Sequence, residues 1–342
     1  MLIVKEWTAI KKQQFAPVYL VYGDEPFLIK ETKQLLLKHV ISEEEMDFNF
    51  SSHDLEDGVT LEQAMEEAEM VPFMGERRLI FIHNPSFLTS EKKKEKVEHN
   101  VSSLERYLAS PSPYTILVFV APYEKLDERK KITKLLKKNS NVIEAKKLKG
   151  NDIETWIRQR VGKEGVQIED QAIKKVIELA GMNLFMLASE IEKLALYALG
   201  TSAITVEMVE QLTARSIEQN VFELIDRAVN NRIEEALRLY YDLLKQKEEP
   251  LKILALLAGQ FRLIYQVKSL TSKGYGQQQI ATQLKVHPFR IKLAAKHAQL
   301  FSDQHLATIM LSLAECDLEM KSSSFNKEMV IELFLTRLLN QR

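Results

Sequence analysis

Pro17-Val18-Tyr19-Leu20-Val21-Tyr22-Gly23-Asp24-Glu25-Pro26-Phe27-Leu28-Ile29-Lys30 is the stretch that decides the fold. Val18 to Tyr22 is a short β-favouring run that stops at Gly23, and from Lys30 to Ile41 the apolar residues recur at helical spacing. A buried strand that turns at once into a helix is the opening unit of an α/β sheet. Working outward, Leu79-Ile80-Phe81-Ile82 and Tyr114-Thr115-Ile116-Leu117-Val118-Phe119-Val120 predict further strands buried on both faces. Between them a helix is expected from Thr60 to about Met70. Thr60 and Gln63 make a capping box, and Leu61, Ala64, Met65 and Ala68 form one stripe. Strands separated by helices imply a parallel sheet with right-handed crossovers over residues 1–146.

From about Leu148 the strand signals end. Asn151–Val161, Glu169–Ala180 and Leu184–Leu199 read as amphipathic helices, with Gly181 and Gly200 as stops, and Thr205 can cap a short helix ending near Leu212. The remainder is helical again, near Val221–Asn230, Ile233–Gln246, Leu251–Ser272, Gln277–Leu284, Pro288–Ala298, Asp303–Met320 and Lys327–Asn340. The expected class is α/β plus all-α, in three segments: 1–146, 147–214 and 215–342.

Composition agrees with that reading. Of 342 residues only 11 are Gly and 9 are Pro, about 6% together, where average usage gives roughly 12%. Cys316, the one cysteine, excludes a disulfide framework and a multi-thiolate zinc site, and fits a reducing compartment. No apolar run approaches the roughly 18 residues of a membrane span, and MLIVKEW lacks the layout of a secretory signal. A soluble, cytoplasmic chain without a membrane partner is expected.

The balanced total, 47 Lys and Arg against 48 Asp and Glu, hides segregated blocks. Glu43–Glu76 holds twelve acids and no Lys or Arg; Lys125–Lys149 holds ten bases and three acids; Pro250–Ser302 holds eight Lys or Arg, two His and no acid. Solvated helix faces can produce any one block, whereas three together suggest faces that meet different partners.

His-Glu-x-x-His, Gly-x-Ser-x-Gly and metal-spaced His or Cys sets are absent from the sequence. The turn after the first strand is where a phosphate loop, Gly-x-x-x-x-Gly-Lys-[Ser/Thr], belongs. With Gly23 as its first residue, the second Gly, the phosphate-binding Lys and the magnesium hydroxyl fall on Leu28, Ile29 and Lys30. Leu has a bulky side chain, Ile no charge and Lys no lone pair for magnesium, while Asp24 and Glu25 repel a triphosphate. The Leu79–Ile82 strand ends in His83-Asn84 where a nucleotidase would place two carboxylates. An NTPase-like scaffold without its chemistry is one reading; an unrelated α/β fold with an ordinary turn is the other.

Met70-Val71-Pro72-Phe73-Met74-Gly75 is an unbroken apolar run in a connection inside the acidic block. Connections normally favour polar residues, so an apolar one rimmed by charge reads as an anchor for a partner's pocket. The alternative is that Phe73 and Met74 fold back into their own core. In the basic block, Gln277–Leu284 and Val286–Lys292 have a helix-turn-helix-like cadence. Arg262, Lys268, Lys273, Lys285, Arg290, Lys292 and Lys296 can meet phosphates, with Tyr265 or Tyr275 stacking on a base. Helices packing in an oligomer would look the same.

On these motifs the chain resembles the delta-subunit family of the bacterial DNA polymerase III clamp loader. Val18–Leu28 is similar to that family's opening, Pro72-Phe73-Met74-Gly75-Glu76-Arg77-Arg78-Leu79 to its clamp-binding segment, and Glu190-Ile191-Glu192-Lys193-Leu194 to a signature of its second domain. Val221-Phe222-Glu223-Leu224-Ile225-Asp226 and Val286–Lys292 resemble its collar landmarks. The delta-prime and tau/gamma subunits would carry zinc-binding cysteines or an intact phosphate loop. The resemblance implies an AAA+-like parallel-sheet domain with a degenerate phosphate loop, a small helical lid and a helical collar. It also implies no cofactor and no intrinsic activity, within the DNA polymerase III holoenzyme. Met70, Val71, Pro72, Phe73 and Met74 would then enter a pocket on the beta sliding clamp and hold one ring interface open. Delta-prime and tau/gamma subunits and primed DNA would be the other partners, with ATP on the motor subunits governing access to the wedge. The competing expectations are an active AAA+ ATPase and a DNA-binding regulator reading through residues 277–296.

Overall fold

The computed structural model describes residues 2–73, 75–90, 97, 99–148, 151–201, 203–322 and 326–340. The chain divides into two units, Met1–Leu148 and Lys149–Arg342.

In the first unit β1 (Val18–Tyr22), β2 (Phe50–Asp54), β3 (Arg78–His83), β4 (Thr115–Ala121) and β5 (Asn141–Glu144) form one sheet in the order β2-β3-β4-β1-β5. All its pairings are parallel. From β1 the chain travels to the far edge, returns through β3 and β4, and crosses β1 to reach β5. The carboxyl ends of β1 and β4 thus form the switch point where such sheets open a crevice. β1 and β4 are buried at every position, which is why their sequences are apolar without alternation.

Val18, Leu20, Ile80, Ile82, Leu117 and Phe119 pack on one face against Leu61, Ala64, Met65, Leu104 and Leu136 from three crossover helices. Helices Leu2–Lys11 and Pro26–Val40 lie against the other side, where Trp7 Nε1 donates to Thr32 Oγ1 at 2.9 Å. The second of these starts at Pro26, ahead of the expected Lys30. Glu25 caps it and Pro at the first helical position is pre-set for the turn.

The second unit is helical, with one departure from expectation. Gln167–Ile168 (β6) and Ala203–Ile204 (β7) pair in parallel, although the sequence past Leu148 predicts no strand. Two residues are too few to show a period of two. Helices Asn151–Lys163, Asp170–Ala180, Leu184–Tyr197 and Val206–Leu212 surround that pair. Gly181 ends the second of them with φ 77°. Ser216 N–H then bonds Leu179 O at 2.8 Å and leads into Ile217–Val229.

The remaining helices, Ile233–Lys245, Pro250–Ser272, Gln277–Leu284, Pro288–Ala298, Asp303–Ser322 and Lys327–Asn340, share one core. Phe261 sits at its centre, edge-on to Phe301 and Phe334. Among the described residues no helix is long and apolar enough to cross a membrane, and no cluster of His, Cys, Asp or Glu is placed to hold a metal ion.

Candidate functional site

β2 and β3 run side by side with Phe50 opposite Leu79. The segments entering these strands therefore meet at the amino edge of the sheet. One is the short helix Met46–Asn49 with Phe48; the other is the Met70–Arg77 connection with Phe73. The end of helix Leu61–Glu69 is fixed by Thr115 Oγ1–H donating to Ala68 O at 2.8 Å, and Met70 N–H closes on Glu67 O. Inside, Glu67 accepts from Arg78 Nη1 at 3.3 Å and meets His53 Nε2 at 2.6 Å, while Arg78 Nη2 also reaches Val71 O at 3.4 Å. Arg77 lies over the Phe15 ring at 5.0 Å. Gly75 turns the chain with φ 74°, a conformation that favours glycine, and a Cβ there would strike the Glu45 carboxylate.

On this base Phe73 is 74% exposed, Val71 67% and Met70 54%, with Pro72 half-buried. Phe73 is therefore not a core residue, although a generic loop aromatic would be. Met74 lies outside the described residues. The Phe73 N–H donates to Oδ1 of wholly buried Asn49 at 3.1 Å. Phe48, 50% exposed, places its ring 5.4 Å from that of Phe73. Neither Phe48 nor Asn49 is singled out by the sequence reading. The available signal was the Phe48-Asn49-Phe50 spacing, in which Phe50 turns in, edge-on to Phe81 at 5.5 Å, and Phe48 stays out. Exposed acids, among them Asp47, Glu66, Glu69 and Glu76, surround the pair in the chain.

The opposite, carboxyl edge carries the turn after β1. Gly23 has φ 146°, and a Cβ there would lie 2.0 Å from Ala145 O. A glycine here lets β1 pass close to the strand exit of β5. Glu25 N–H donates to Ala145 O at 2.9 Å, Ala145 N–H to Tyr22 O at 2.7 Å, and Lys147 meets Asp24 at 3.4 Å. The helix that follows receives its own anion: Glu25 Oε1 accepts from Phe27 N–H at 3.3 Å, occupying the position where a phosphate would use the helix N-terminus. Burial raises the Glu25 pKa, with the Phe27 bond and Lys147 opposing it. Leu28 is buried, Ile29 half-buried and Lys30 exposed on the helix body.

In the basic block of the second unit, three of the seven cations also contact neighbouring groups. Lys268 Nζ donates to Ala298 O at 3.2 Å, Lys296 Nζ lies 3.5 Å from Asp226, and Arg290 Nη2 lies 3.5 Å from Gln260 Oε1. Arg262, Lys273, Lys285, Arg290, Lys292 and Lys296 are exposed, as are Tyr265 and Tyr275, with Arg262, Tyr265 and the capping Lys273 on one helix and its end.

Comparison with known proteins matches the chain in three stretches. A family model described as "DNA polymerase III, delta subunit" matches residues 19–146, one described as "DNA polymerase III delta subunit, C-terminal domain" matches 218–338, and one described as "middle domain" matches 150–211. The chain is 48% identical over 340 residues to DNA polymerase III subunit delta of Bacillus subtilis, covering 99% of this chain and 98% of the relative. It is 23% identical to a probable DNA polymerase III subunit delta of Aquifex aeolicus, covering 95% and 91%. The solved DNA clamp loader delta protein of Bacillus subtilis superposes with a TM-score of 0.78, covering 99% of both chains.

Proposed function

The chain belongs to the DNA polymerase III delta-subunit family, and from that premise we propose that Phe73, with Met70, Val71, Pro72 and Met74, inserts into a pocket on the beta sliding clamp and holds one interface of the ring open. The observation that carries this reading is a segment tied to Asn49 and Arg78 whose aromatic tip is 74% exposed. A bare apolar side chain on a fixed base loses little conformational entropy on docking, which is what an anchor in a partner's pocket requires. In this reading the second unit divides into a lid, residues 147–214, and a collar, residues 215–342. The collar assembles with the delta-prime and tau/gamma subunits in the cytoplasm, and the loader acts on primed DNA. The chain itself has no catalytic activity. The Glu25 carboxylate at the helix start and the close passage of Gly23 past Ala145 both favour that part of the reading.

The test is a titration of the full chain against the cognate sliding clamp. Phe73→Ala is expected to cost at least about 2 kcal/mol of affinity, close to a thirtyfold loss. A loss below threefold would reject the wedge.

A further inference from the structure

We infer that the clamp-binding element is composite: Phe48, from a separate segment of the chain, is a second contact residue that enters the same pocket beside Phe73. This rests on the clamp reading above and adds a residue outside the Met70–Met74 run.

Four observations carry it. The Phe48 and Phe73 rings are 5.4 Å apart and tilted by 31°, a geometry at which aromatic pairs attract beyond their buried area. Each ring is nevertheless at least half exposed, at 50% and 74%, so together they present one continuous apolar surface and not a closed pair. The two segments are also joined by a hydrogen bond, because the side-chain Oδ1 of Asn49, the residue next to Phe48, accepts the Phe73 N–H at 3.1 Å and Asn49 is itself wholly buried. Parallel pairing of β2 with β3 fixes both segments on one edge. A pocket that takes Phe73 therefore meets Phe48 without rearrangement.

The alternative is that Phe48 only supports the Phe73 ring from the side and stays in water when the clamp is bound. An indole placed at position 48 separates the two, read beside a double-mutant cycle that tests whether the rings are coupled, using the full chain and the cognate sliding clamp. Phe48→Ala is expected to weaken binding at least fivefold with an unchanged unfolding midpoint, since the ring is half exposed. The Phe48→Ala, Phe73→Ala double variant should bind more tightly than the product of the two single losses predicts, because the rings act as one surface. Phe48→Trp reports the same contact without truncation. The emission it adds to that of the parent chain, which already holds Trp7 and Trp156, should shift to shorter wavelength when clamp is added.

A Phe48→Ala loss below fivefold, strictly multiplicative losses, or an added indole emission that clamp does not move would each overturn the composite element. If Phe73→Ala itself loses less than threefold, the wedge reading falls and takes this inference with it. An effect at Phe73 with none at Phe48 removes only the inference.

Discussion

His297 shows what a single buried side chain does to the second unit. Its ring is wholly buried, stacked on Phe222 at 4.7 Å, with Nε2 3.0 Å from Asp226 Oδ1. A carboxylate can only accept, so Nε2 carries the proton, and Nδ1 is left without a partner. Desolvation lowers the His297 pKa from its ordinary 6.5, against the pull of Asp226 and with the help of Lys296. Burial pushes Asp226 up, yet His297 and Lys296 together hold it below its ordinary value, and Arg232 lies 3.5 Å from it as well. The unfolded chain therefore binds a proton at position 297 before the folded one does. Stability should hold above about pH 6.5 and fall as pH drops through the window below it. In urea unfolding between pH 7 and pH 5.5, His297→Gln should flatten the decline that the parent shows. An identical decline in both would place the pH dependence on other groups, such as His83 and His287, whose pKa values burial also lowers.

At the scale of elements, legibility followed burial. β1, β3 and β4 are central, their interiors buried on both faces, so their sequences are continuous apolar runs. β2 and β5 occupy the edges and are half-buried, and Phe50-Ser51-Ser52-His53-Asp54 carries no alternation to read. Helices of the second unit fall within a few residues of expectation because caps and breakers mark them, as Thr205 does, whereas the helix capped by Ser216 starts at Ile217, ahead of the expected Val221. The helix after β1 begins earlier than its periodicity, since Glu25 and Pro26 define a start that apolar spacing does not record. That start also bears on nucleotide binding. The Glu25 carboxylate already caps the helix terminus, and Gly23 passes so close to Ala145 O that no side chain fits between them. Magnesium ATP at millimolar concentration should leave the unfolding midpoint of the isolated chain unchanged. A site filled at about 100 times its Kd would stabilise by about 2.7 kcal/mol, so a clear upward shift would show a working loop.

Across the whole molecule the charge blocks were visible in the sequence, and what they surround was only half visible. The acidic block encloses the Phe73 segment because an apolar run in a connection stands out against acids, whereas Phe48 became part of that surface only through the pairing of β2 with β3. The basic block was less uniform than its composition. Lys268 is engaged with Ala298 O, Lys296 lies 3.5 Å from Asp226 and Arg290 3.5 Å from Gln260, although Lys296 and Arg290 stay exposed. Arg262 and Lys292 project from helices Pro250–Ser272 and Pro288–Ala298 as exposed residues, and they are the better probes of a DNA contact. Each duplex phosphate neutralised adds roughly 0.9 to the slope of log affinity against log salt. In the assembled loader on primed DNA, Arg262→Gln and Lys292→Gln should each lower that slope by about this amount while leaving assembly intact. A slope that stays fixed while assembly weakens would instead assign both cations to contacts between subunits, and the second unit would then meet DNA through other residues or not at all.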